Sequence, residues 1–194
     1  MAHLQRQPHA ARLPLSAIAP IVRAAAPAAL DIPAAYNAAI ARLRAAFPDE
    51  PRPGTYEGYD ASTLRALLAL RIPGTARPLT YALLHTPEAD QYEDLLEVLL
   101  DRFTPRLFTM PAARHMHCTN RIVHQWDEMV LQPALSANGA GLGVPIETLE
   151  RIKSLPWTDH GLCAPCVDAL KEEWTGFQTE LWEVLGRLVS EREL

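Results

Sequence analysis

Residues 163–190 read CAPCVDALKEEWTGFQTELWEVLGRLVS, and this stretch decides the fold class. Val167, Leu170, Trp174, Phe177, Leu181, Val184 and Leu188 recur at alternating spacings of three and four, the period of one helix face. Trp182, Leu185 and Val189 widen that face beyond the narrow seam of a coiled coil, which favours packing on the chain's own core over an oligomer seam. Cys163-Ala164-Pro165-Cys166 opens the helix, with proline suited to its first turn. A long C-terminal helix reaching about Ser190 follows.

Working upstream, the same helical period recurs, and no β-branched or aromatic alternation lasts long enough for a strand. Pro145 opens a helix with Ile146, Leu149 and Ile152, after a glycine-rich loop over Gly139–Gly143. Thr119 or Asn120 can cap a helix bearing Ile122, Val123, Trp126, Met129 and Val130. Thr86-Pro87-Glu88 signals another start, with Tyr92, Leu95, Leu96, Leu99 and Phe103 on one face. A short helix is expected after Pro78. Asp60 can cap a helix running through Leu64, Leu67, Leu68 and Arg71 to a stop at Pro73-Gly74. Residues 48–59 form the clearest loop. Asp31-Ile32-Pro33 opens a helix with Tyr36, Ile40, Leu43 and Phe47 inward, ending before Pro48. Ser16–Ala26 makes a short helix broken by Pro20 and Pro27. The expectation is an all-α, irregular bundle of seven to eight helices: a poorly ordered stretch over 1–14, then one helical domain over 15–194.

Composition bounds the function. The chain has 194 residues, 48% hydrophobic and 21% charged, so one buried core is within reach and general disorder is not expected. The net charge is −5, with +4 over residues 1–48 and −9 over the remainder. Without a dense Lys/Arg stripe the chain is a poor nucleic-acid binder. No apolar run approaches the ~18 residues of a membrane span. The alanine- and arginine-rich start shares its composition with transit peptides, but it is almost free of serine, and Pro8, Pro14, Pro20 and Pro27 interrupt any amphipathic helix. Three cysteines, an odd number, do not make a disulfide framework and suggest a reducing, intracellular (cytoplasmic or nuclear) setting.

The chemistry gathers around those cysteines. His115-x-x-Cys118 and Cys163-x-x-Cys166 are two pairs, each able to grip an ion from one local turn, as tetrahedral zinc requires. Both lie at helix starts, where the dipole favours thiolate. The expected metal ligands are therefore His115, Cys118, Cys163 and Cys166, with His117 and His160 open as alternatives for the imidazole. Four protein ligands would leave no position for a reacting water, so the zinc would be structural. Two other readings stay open: three buried, inert cysteines, or a dithiol oxidoreductase using Cys163-x-x-Cys166. The latter expects strands around the motif, and the flanking segments read as helices. Phosphate-binding, serine-hydrolase and zinc-protease motifs do not occur. Gly139-x-Gly141-x-Gly143 lacks the strand a nucleotide loop needs. Histidines 85 and 124 fall in helices without an evident partner, and Asp127-Glu128 and Glu172-Glu173 read as solvated faces.

Taken together, His115-x-x-Cys118 followed by Trp126, then Cys163-x-x-Cys166, Leu170, Trp174 and Trp182-Glu183-Val184-Leu185, resemble the C-terminal region of fungal BTB/POZ-domain proteins. Ile32-Pro33-Ala34-Ala35-Tyr36 through Phe47-Pro48 is similar to the helix that follows their BTB core. The resemblance implies a post-BTB helical module engaged in protein–protein interaction or adaptor work, without enzymatic activity. The BTB core itself has no counterpart here, so its dimerisation and ligase recruitment do not carry over.

Overall fold

A computed structural model describes residues 13–54, 56, 58–136 and 140–192. Most of the stretch expected to be poorly ordered, residues 1–12, lies outside them. The described residues are helical and contain no strand: α1 Leu15–Ala25, α2 Pro33–Ala46, α3 Ala61–Leu68, α4 Ala76–Leu83, α5 Glu93–Phe108, α6 Met116–Trp126, α7 Gln132–Leu135, α8 Ala140–Gly143, α9 Pro145–Ser154 and α10 Ala164–Arg192. Because α6 and α7 form one continuous rod and α8 is a single turn, eight longer helices build the body.

The inward faces of these helices join one core. α10 is its spine. Val167, Leu170, Trp174, Phe177, Leu181 and Val184 are buried, and so are Trp182, Leu185 and Val189, so the wide apolar face packs on the chain's own core. α9 is fastened to it by a buried polar residue, Gln178. Its Nε2 donates to the Ile146 carbonyl at 2.9 Å, and its Oε1 accepts from Lys153 Nζ at 2.6 Å. α2 ends as expected, with the Phe47 N–H closing on Leu43 and its ring fully buried.

Prolines and caps account for most differences from expectation. Pro20 does not break α1, nor does Pro105 end α5. Both rings face solvent, and each costs one backbone hydrogen bond while buried neighbours hold the helix. These neighbours are Ile18 and Val22 in α1, Phe103 and Leu107 in α5. Pro78 lies inside the first turn of α4 rather than ahead of it. Thr86 does not start the α-helix. Its hydroxyl donates to the Leu83 carbonyl at 2.8 Å, and a 3₁₀ turn over 89–92 intervenes before α5. α3 ends at Leu68, short of Arg71, whose backbone turns left-handed at φ 51.

Gly141 is not in an open loop but in the helical turn α8, where a Cβ would stand 2.6 Å from the Ala134 backbone. Only glycine permits that approach. The described residues of 48–59 carry no helix, as expected, yet Tyr56 among them is buried, and its hydroxyl donates to the Glu50 carbonyl at 3.2 Å.

Candidate metal centre

Thr119 and Asn120 do not cap α6; His115 occupies that position. The Thr119 hydroxyl instead sits in the first turn and accepts from the Ala113 N–H at 3.0 Å, tying the incoming chain to the helix start. His115 and Cys118 are thus the cap and the third residue of α6. Cys163 and Cys166 occupy the same two positions of α10, with the Cys166 N–H closing on the Cys163 carbonyl at 3.0 Å. Two helix starts therefore present the same two-point grip.

The grips face each other. The ligand atoms of His115, Cys118, Cys163 and Cys166 all lie within 4.8 Å of one another. His115 Nδ1 stands 3.2 Å from Cys163 Sγ and 3.5 Å from Cys166 Sγ, and Cys118 Sγ stands 3.6 Å from Cys163 Sγ. Around a tetrahedral zinc, with Zn–S of ~2.3 Å and Zn–N of ~2.0 Å, ligand atoms stand roughly 3.5–3.8 Å apart. These three separations agree within a few tenths of an ångström, and the remaining pairs lie within 4.8 Å. A disulfide needs ~2.05 Å, and all three cysteines are free. The cluster is compatible with a metal site. Neither His117 nor His160 joins it; His160 offers only its carbonyl, which accepts from Gln125 Nε2 at 3.4 Å.

Burial is graded across the site: Cys118 and Cys166 are buried, Cys163 half-buried and His115 exposed. Burial pushes the Cys166 thiol up, but the His115 N–H and the Cys163 and Cys118 sulfurs more than offset it, so its pKa lies below the ordinary value. Cys163 goes the other way. The Cys166 N–H favours its thiolate, while the Cys166 and Cys118 sulfurs and burial outweigh that and leave its pKa raised.

Beneath the cluster three tryptophans meet. Trp126 of α6 and Trp174 of α10 have ring centroids 6.3 Å apart, and Trp157 lies against both, at 6.3 Å and 5.9 Å. Trp126 Nε1 donates to the Leu107 carbonyl at 2.9 Å, and Trp157 Nε1 to the Ile152 carbonyl at 2.8 Å. The indoles thereby satisfy carbonyls near the ends of α5 and α9 that lack a full set of intrahelical partners.

Elsewhere, His85 is not without a partner, nor inside a helix. It follows α4, with Nε2 3.5 Å from Glu147 Oε2 and Nδ1 2.9 Å from the Tyr81 carbonyl oxygen. Tyr81 OH donates to the same Glu147 oxygen at 2.7 Å. Sequence reasoning missed this group because Glu147 lies more than sixty positions from Tyr81 and His85, on no common motif. The rings are nearly or fully shielded, which makes the group a structural tie between α4 and α9. Asp127-Glu128 and Glu172-Glu173 are exposed, as expected of solvated faces. Among the described residues no helix is long and apolar enough to cross a membrane. Compared with family models, curated proteins and solved structures, the chain matches none.

Proposed function

We propose that the chain is a non-enzymatic protein–protein interaction module whose helical body is clipped by a structural zinc ion on His115, Cys118, Cys163 and Cys166. One observation carries this reading: two helix starts 48 residues apart bring four potential ligand atoms within 4.8 Å of one another. Three thiolates and one imidazole are a soft set suited to zinc, and a closed one. The ion would join the starts of α6 and α10, and the tryptophans beneath would set the distance between the two helices. Three large side chains on the segment leading into the site, Phe108, Met110 and Met116, stay 44–76% exposed. Exposed apolar groups gathered on one segment are a feature of contact surfaces. The resemblance to the post-BTB region of fungal proteins points to the same role.

The alternative, a dithiol oxidoreductase at Cys163 and Cys166, finds less support. Such enzymes lower the pKa of an accessible first cysteine; here Cys163 is raised and the lowered thiol, Cys166, is fully buried. Thiol titration of the purified chain separates the two. The zinc module predicts cysteines that react slowly until a chelator is added and then react together. A chain that instead cycles reversibly between a dithiol and a Cys163–Cys166 disulfide, with no effect of chelator, overturns it.

A further inference from the structure

On a different surface, the ends of α3 and α10, part of α4 and the turn before α5 enclose a hollow of about 580 Å3. Three guanidinium groups line it, from Arg65, Arg71 and Arg192, above an apolar floor that includes Leu68 and Val189, with the Tyr92 ring at its side. In a chain of net charge −5, two of these groups are paired with carboxylates and the third has no acidic partner among the described residues.

Two of the arginines are accounted for by the fold. Arg65 pairs with Glu88 at 2.8 Å, and Arg192 pairs with Asp94 and lies 5.5 Å over the Tyr92 ring. Both also sit in a last helical turn, where a cation is favoured. Arg71 is different. It is exposed and has no acidic partner among the described residues. It also holds a left-handed backbone at φ 51 that suits glycine and strains a residue with a Cβ. Thr80 lines the same hollow, is only 3% exposed, and has a hydroxyl that no hydrogen bond among the described residues uses.

We propose that this hollow binds an acidic peptide segment. Its carboxylates engage the free fork of Arg71 and share Arg65 and Arg192, while a neighbouring apolar side chain seats on Leu68 and Val189 beside Tyr92. Guanidinium favours planar carboxylates, which it can meet with two parallel hydrogen bonds. A bare anion would use the charges and leave the apolar floor in water. None of these residues belongs to the Cys/His cluster, so the binding is independent of the cation.

The test is fluorescence anisotropy of a fluorescein-labelled peptide alternating Glu and Leu, titrated with the full chain at about 50 mM salt and again at physiological salt. Saturable binding is expected that salt weakens, that a Lys/Leu peptide does not reproduce, and that falls at least fivefold for a Glu/Gly peptide. Arg71→Glu should weaken it at least tenfold. Arg71→Gly should do the same while keeping helicity, melting temperature and metal content, because glycine suits that backbone. The proposal is overturned by the absence of saturable binding at low salt, or by full affinity in Arg71→Gly. Competition by inorganic phosphate at the same concentrations as the peptide also overturns it, in favour of a small-anion site.

Discussion

Asp60 caps α3 by accepting from the Ser62 hydroxyl and from the Thr63 N–H, at 2.8 Å for the latter, and these bonds hold its carboxyl below the ordinary value. A depressed acid stabilises above its unfolded value of about 3.9 and stops doing so as pH falls through the folded one. Asp60→Ala should therefore melt lower than the parent at neutral pH, and thermal melts down the pH scale should show the gap closing as pH falls below the ordinary carboxylate value. Tyr81 is a buried case. Its hydroxyl donates to Glu147 and accepts from the Ile146 N–H at 3.2 Å, and burial together with the Glu147 charge raises its pKa well above the ordinary value. Tyr81→Phe strands both partners in the core and should cost about 1–3 kcal/mol in urea denaturation. The two residues differ in legibility. Asp60 announces itself because a cap acts within three residues. Tyr81, His85 and Glu147 meet only after α4 and α9 have packed, and nothing local marks them.

At the scale of the element, the rod from α6 to α7 shows what periodicity can and cannot convey. Cys118, Ile122, Trp126, Val130 and Ala134 are all buried, each four positions from the last. A straight α-helix would carry such a series steadily round its axis. The widened π turn over Asp127–Leu131, closed by the Gln132 N–H on the Asp127 carbonyl, takes up the drift and keeps all five on one face. The same geometry leaves Val123, expected inward, 46% exposed. In α10 the three–four alternation needs no such correction, and its apolar buried face was readable up to Val184, whereas Leu188 is half-buried and the buried Gln178 carried no apolar signal. The connection between α9 and α10 was not. Trp157 sits there, 1% exposed and hydrogen-bonded, on a segment with no helical period. Trp157→Ala should cost about 3–5 kcal/mol by denaturation and collapse the near-UV signature of the stacked indoles. An unchanged spectrum would mean that Trp126 and Trp174 hold their places without it.

Across the whole molecule, the Cys/His cluster and the tryptophans below it join two helices whose starts lie 48 residues apart. The four residues of the cluster were readable because each pair lies within one turn of a helix start; that the pairs face each other is a tertiary fact. Structural zinc contributes on the order of 10 kcal/mol in small peptides, comparable with the stability of a domain. On the proposed zinc reading, removing the cation should therefore lower the melting temperature cooperatively and expose the core between α6 and α10. Cys166→Ser should do the same, while His117→Ala, beside the cluster but outside it, should leave the melt unchanged. The most direct measurement is the metal content of the purified chain and of these two variants. The account predicts one zinc per chain in the parent and in His117→Ala, and none in Cys166→Ser. A metal-free parent whose melting temperature does not respond to added zinc would contradict it.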